Sequence, residues 1–178
     1  SRTVMVPPAG SDEITSTSGF RRCAIAAART AQKAWARTSI AERRAVMLRF
    51  LDAMKAINGD VVPELARQMG RPVRYGGELR SLTERVEHML TIAEEALSPV
   101  IPAAKDGFTR QIRRVPLGVI FTIAPWNYPF LTAVNTIVPG LMAGNAVILK
   151  AASQTILTGE RFQQAMDQAG LPKGCLLY

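Results

Sequence analysis

The chain has 178 residues, 48% of them apolar and 20% charged, which is enough to bury one sizeable core and excludes a disordered tail. The net charge of +8 does not point to nucleic acid or anionic lipid. The basic residues are spread along helices and interleaved with acids, as at Glu42, Arg43, Arg44 and at Glu78, Arg80, Glu84, Arg85, the pattern of solvated helix faces.

Two cysteines, Cys23 and Cys175, show neither paired nor metal-like spacing, so no disulfide framework and no metal site is expected and a reducing compartment is favoured. With no signal-like amino terminus and no run of about eighteen apolar residues, neither export nor a membrane is expected, and a cytoplasmic location is the default.

Residues 1–19, rich in Ser, Thr, Gly and Pro, read as an extended lead-in. Residues 20–37 are alanine-rich, and Ala24, Ala27, Ala28, Ala31 and Trp35 fall at helical spacing. Ser39 and Glu42 form a capping box ahead of a second helix that buries Val46, Met47, Phe50, Leu51, Met54 and Ile57. Gly59 and Asp60 then read as a break, with Pro63 in the first turn of a new helix that Gly70 ends.

From Glu78, the positions Leu79, Leu82, Val86, Met89, Ala93 and Leu97 step by three and four, which predicts a long amphipathic helix to about Ser98. His88, off that seam, reads as a surface group. Residues 99–107 read as a loop, and 108–114 alternate as an edge strand, with Phe108, Arg110, Ile112 and Arg114 on one side.

Val119 to Ile123 is a short β-branched run, the pattern of a central strand buried on both faces. Pro125 and Pro129 stop it, because proline lacks an amide hydrogen and restricts its predecessor. An apolar helix from Phe130 to Met142 follows, stopped by Gly144 and Asn145, and Ala146 to Leu149 read as a second strand with Lys150 at its end. A helix over 157–168 and a third strand from Gly174 complete the pattern.

Asn127 and Lys150 therefore emerge on the rim of a parallel sheet where open α/β folds bind ligands. A neutral amide suits stabilising an oxygen that becomes negative; an asparagine between two prolines equally suits turning the chain. Lys150 taken alone is a solvated charge, and no Gly-x-Gly-x-x-Gly follows the first strand.

Pro116-Leu117-Gly118-Val119, Pro125-Trp126-Asn127-Tyr128-Pro129, Gly144-Asn145-Ala146-Val147-Ile148-Leu149-Lys150 and Ala169-Gly170-Leu171-Pro172-Lys173-Gly174, in this order and spacing, resemble the aldehyde dehydrogenase superfamily. The likeness is dense from Arg113 to Gly174 and extends in helix layout from about Phe20. It implies an α/β fold: a helical part of the cofactor-binding domain (20–98), an edge-strand oligomerisation arm (99–115), and an incomplete Rossmann-like NAD(P)-binding βαβ part (116–178).

The implied activity is NAD(P)-dependent oxidation of an aldehyde to a carboxylic acid through a cysteine thiohemiacetal and thioester. Asn127 would hold the oxyanion, and Lys150 would reach the adenosine ribose or a 2′-phosphate. Trp126 and Ile123 would lie near the nicotinamide and its ribose, with core packing at least as good a role for Ile123. Ser153 stands where the family often has a glutamate that repels a 2′-phosphate, so NADP as well as NAD is expected.

Residues 151–156 depart from the family's usual continuation, and neither Cys23 nor Cys175 sits where the family has its nucleophile. The nucleophilic cysteine, the general-base glutamate and the glycine-rich turn are not found. The expectation is an incomplete amino-terminal portion, inactive alone, with an aldehyde as substrate and a dimer or tetramer formed through residues 108–114. The alternatives are a non-catalytic binding or assembly module derived from that enzyme, or an unrelated doubly wound binding domain for which the motif matches are accidental.

Overall fold

The computed structural model describes residues 17–178. The lead-in expected over residues 1–19 falls outside the described residues as far as residue 16, and helix α1 (Thr17–Trp35) begins ahead of the expected Phe20. It turns one face inward, where Ala28 and Trp35 are buried.

Helix α2 (Ile40–Met69) opens on the expected capping box: Ser39 Oγ accepts the Glu42 N–H at 3.1 Å, and Glu42 Oε2 accepts the Ser39 N–H at 2.7 Å. The break expected at Gly59 and Asp60 does not occur. The helix runs unbroken through Gly59 and Pro63, although these cost about 1 and about 3 kcal/mol against alanine. Burial outweighs that cost. Ile57, Val61 and Leu65 lie one turn apart on a single buried seam, and each such side chain contributes about 1.5–3 kcal/mol. Gly70 closes the helix in the left-handed conformation, at φ 74°.

Helix α3 (Leu79–Leu97) buries Leu82, Val86, Leu90 and Ala93, so Leu90 takes the fully buried place expected of Met89, which is half-buried. Two of the acids and bases read as solvated are not: Glu78 and Arg43 are 5% and 7% exposed. Arg80 and Glu84 do form an exposed ion pair one turn apart.

The strand expected over 108–114 is replaced by an antiparallel excursion joined at two isolated bridges, Val100–Ile112 and Lys105–Phe108. The alternation of side chains is present, but no partner strand runs beside it long enough to make a ladder.

Strands β1 (Val119–Ile123), β2 (Ala146–Lys150) and β3 (Leu176–Leu177) form a parallel sheet in that order, joined by helices α4 (Pro129–Met142) and α5 (Leu157–Gln168). Among the described strands β2 is therefore central and β1 is an edge, whereas the sequence reads β1 as a central strand. Helix α4 covers one face of β1, its Gly140 lying over Ile120 and Val147 so closely that a Cβ would meet them at 3.1 and 3.4 Å. On the other face Phe121 and Ile123 are 61% and 66% exposed. A β-branched run cannot distinguish two covered faces from one. The rings of Phe50, Phe130 and Phe162 stack to join α2, α4 and α5.

The carboxyl end of α4, whose carbonyls have no helical partner, is closed by donors from α1 and α2. Trp35 Nε1 donates to Leu141 O at 2.8 Å, Arg43 Nη1 to Met142 O at 2.8 Å and Gln32 Nε2 to Gly144 O at 2.9 Å. Asn145 donates to Gly140 O at 3.0 Å and accepts the Gly118 N–H at 2.9 Å, which ties the start of β2 to the start of β1. No described helix is long and apolar enough to cross a membrane.

Candidate functional site

The rim of the sheet is set by register. Ile123 pairs with Lys150, and the Ala124 N–H donates to Lys150 O at 3.0 Å, so the two strands leave the sheet together. Paired residues of parallel strands share a face, which puts Ile123 and Lys150 side by side on the open one. Lys150 is exposed, and its Nζ makes one long contact, 3.4 Å to Ala151 O, beyond ordinary hydrogen-bond range.

Past Ala124 the chain runs through Pro125, Trp126, Asn127 and Tyr128 into α4. Trp126 is 48% and Tyr128 52% exposed, and Asn127 is exposed as well. Asn127 Oδ1 accepts the Tyr128 N–H at 3.2 Å. Its Nδ2 is left as a donor with no protein partner among the described residues. Ser153 is exposed at the start of a single 3-10 turn, Ser153–Thr155, that follows β2. All five residues singled out in the sequence thus lie on the surface and leave the carboxyl ends of β1 and β2.

Two residues hold this loop: Arg71, which sequence reasoning passed over, and Glu78, which it read as a solvated charge. Glu78 Oε2 accepts the Leu131 N–H at 2.7 Å, satisfying one of the orphan donors in the first turn of α4. Arg71 Nη1 pairs with Glu78 Oε1 at 3.1 Å, and Arg71 Nη2 donates to the Asn127 carbonyl at 3.2 Å. The guanidinium also lies 4.9 Å from the centre of the Tyr128 ring, within cation–π range. Burial pushes the Glu78 carboxyl above its ordinary value, against the opposing pull of the Leu131 N–H and Arg71. The only signal for the pair in the sequence is an arginine and a glutamate flanking a short loop between helices.

The two cysteines lie elsewhere. Cys175 is fully buried, with its thiol pushed up to about 11 by burial, and Cys23 is half-buried on α1.

A parallel sheet with helices in the connections, and polar side chains at its carboxyl rim, defines a Rossmann-like α/β domain. Its sequence carries the assignment further. The chain belongs to the aldehyde dehydrogenase family, whose sequence model matches residues 16–178.

It is 32% identical over 157 residues to a geranial dehydrogenase of Castellaniella defragrans, covering 86% of this chain and 33% of that protein. To betaine aldehyde dehydrogenase 2 of Rhizobium meliloti it is 34% identical over 175 residues, covering 95% and 36%. Among solved structures it resembles a salicylaldehyde dehydrogenase of Pseudomonas putida G7 complexed with salicylaldehyde, with a TM-score of 0.83 at 26% identity over 90% of this chain and 34% of that one. It also resembles an NADP-dependent glyceraldehyde-3-phosphate dehydrogenase of Bacillus halodurans complexed with NADP, with a TM-score of 0.81 at 28% identity over 90% and 35%. The chain spans about a third of the length of the curated relatives it matches.

Proposed function

We propose that these residues form the amino-terminal part of an NAD(P)-dependent aldehyde dehydrogenase and supply its oxyanion donor and part of its cofactor site. The observation that carries this reading is the orientation of Asn127. With Oδ1 occupied by the Tyr128 N–H, Nδ2 is the atom left to donate, and a donor is what an aldehyde oxygen needs as it becomes negative under nucleophilic attack. A neutral amide does this at any working pH without taking up a proton.

The residues present fit a dinucleotide. Lys150 offers an ammonium free of close protein partners for ribose hydroxyls or a 2′-phosphate, and the exposed Ser153 offers a hydroxyl. Exposed Ile123 and Trp126 offer apolar contacts on the same rim. When bound, the nicotinamide would accept the hydride. What this chain's residues do is orient that group and hold the substrate oxygen. The buried Cys175 cannot serve as nucleophile, since the thiolate is the reactive form; on this reading the thiol and the general base lie outside the segment, and the 178 residues alone do not oxidise aldehydes.

The exposed apolar side chains of the excursion, among them Ile101, Phe108, Ile112 and Val115, support its role as a subunit contact of a dimer or tetramer.

The test is Asn127→Ala in the complete polypeptide that carries these residues. The expected result is a fall in kcat on the order of 10²–10³-fold with the KM for NAD(P) unchanged. An undiminished kcat would overturn the assignment.

A further inference from the structure

We infer that Arg71 is a positioning residue for Asn127, holding from outside the sheet the loop on which that amide sits, and that Glu78 holds Arg71 in turn. This rests on the reading of Asn127 as the oxyanion donor. The loop cannot hold itself. Pro125 and Pro129 have no N–H to give, Trp126, Asn127 and Tyr128 are exposed, and the Asn127 amide bonds only to the next residue's N–H.

Apart from the last ladder bond at Ala124 and the first bond of α4, in which Tyr128 O accepts the Thr132 N–H at 2.9 Å, the fixed points come from the segment between α2 and α3. Arg71 Nη2 grips the Asn127 carbonyl at 3.2 Å while Nη1 is anchored on Glu78 at 3.1 Å. Glu78 also anchors the first turn of α4 through the Leu131 N–H at 2.7 Å. The side chains of Arg71 and Glu78 are 13% and 2% exposed, so their ion pair is shielded from solvent, while the Arg71–Asn127 bond and the loop it holds are open. The two grips need the two ends of a planar fork, which a lysine does not have.

Displacing a catalytic donor by about 1 Å costs on the order of 10²-fold in rate. Arg71→Ala in the complete polypeptide should therefore lower kcat roughly ten- to a hundredfold, leave the KM for NAD(P) near its wild-type value, and have no further effect once Asn127 is alanine. Arg71→Lys should recover only part of the loss; it is also the variant to read if Arg71→Ala does not fold.

An equal loss in the Asn127→Ala background, or full recovery by lysine, would overturn the inference. An independent readout is amide hydrogen exchange on the 178-residue chain. Exchange at Tyr128 and Leu131, whose N–H groups are hydrogen-bonded, should quicken tenfold or more in Arg71→Ala while α2 and α5 keep their protection, and unchanged exchange there would overturn the inference whatever the activity. Absence of aldehyde oxidation by the complete wild-type polypeptide that carries these residues would instead remove the proposed function, and the exchange result then decides whether Arg71 holds the loop.

Discussion

The guanidinium of Arg43 closes the carboxyl end of α4, its Nη1 donating to Met142 O at 2.8 Å across 99 residues of sequence. Its Nη2 donates to the carbonyls of Ala36 and Thr38 and its Nε to the Thr38 hydroxyl, so one buried side chain serves the turn between α1 and α2 as well as α4. Gly144 makes room for it. Its φ of +83° already disfavours a side chain, and a Cβ there would meet Arg43 Nη1 at 3.1 Å.

Replacing Arg43 by methionine keeps much of the volume but strands these carbonyls, and leaving buried acceptors unmet costs about 1–3 kcal/mol apiece before relaxation. The expected result is a loss of about 2–4 kcal/mol, read as a lower urea midpoint with an unchanged m-value. A shift below about 0.5 kcal/mol would show that water reaches the α4 terminus and does this work instead.

Glu78 gives a pH dependence whose sign is fixed by burial. Its carboxyl is held above the ordinary value of 4.5, so the folded chain binds that proton more tightly than the unfolded chain does. This contribution is fully present at low pH and is lost as pH rises from about 4.5 through the folded value. Glu78→Gln does not titrate, so wild type should lose stability relative to it between pH 4 and pH 7, at no more than about 1.36 kcal/mol per pH unit. The comparison is made by urea unfolding at each pH. A gain over the same range would mean that Arg71 and the Leu131 N–H outweigh the cost of burying the carboxylate.

Much of the fold was legible because it rests on local signals. The Ser39–Glu42 box, the stop at Gly70, the span of α5 and the strand–helix–strand order all follow from caps, turn residues and apolar spacing. The parts not legible depend on what packs where. Gly59 and Pro63 are strong local punctuation, overridden by a seam at Ile57, Val61 and Leu65 that exists only when the neighbouring helices are in place.

The run from Val119 to Ile123 fixes a strand but not its neighbours, so its open face and edge position had to come from the structure. At the site, Asn127 and Lys150 were visible as polar residues ending apolar runs. Arg71 and Glu78 were not, because their partners Asn127 and Leu131 lie 56 and 53 residues away.

The cysteines should differ in reactivity. Cys175 is fully buried and its thiol is raised to about 11, which leaves on the order of one thiolate in a thousand at pH 8. Iodoacetamide at pH 8 should therefore spare Cys175 in the folded chain, modify the half-buried Cys23 first, and reach both only in denaturant. Peptide mass spectrometry distinguishes the two sites. Rapid native modification of Cys175 would show that the end of the sheet around β3 opens readily.

Ser153 offers a test of cofactor choice. It is exposed three residues beyond Lys150, at the head of a turn that follows β2. If Lys150 and Ser153 face the adenosine ribose, a hydroxyl there tolerates or donates to a 2′-phosphate, whereas a carboxylate accepts from the ribose diol and repels the phosphate. Ser153→Glu in the complete polypeptide should lower kcat/KM with NADP relative to NAD by about tenfold or more, a differential of about 1.4 kcal/mol, with kcat on NAD little changed. The measurement is the ratio of the two efficiencies in wild type and variant. An unchanged ratio would place Ser153 outside the cofactor site, and a wild type that strongly prefers NAD would show that losing the family's carboxylate does not admit the phosphate.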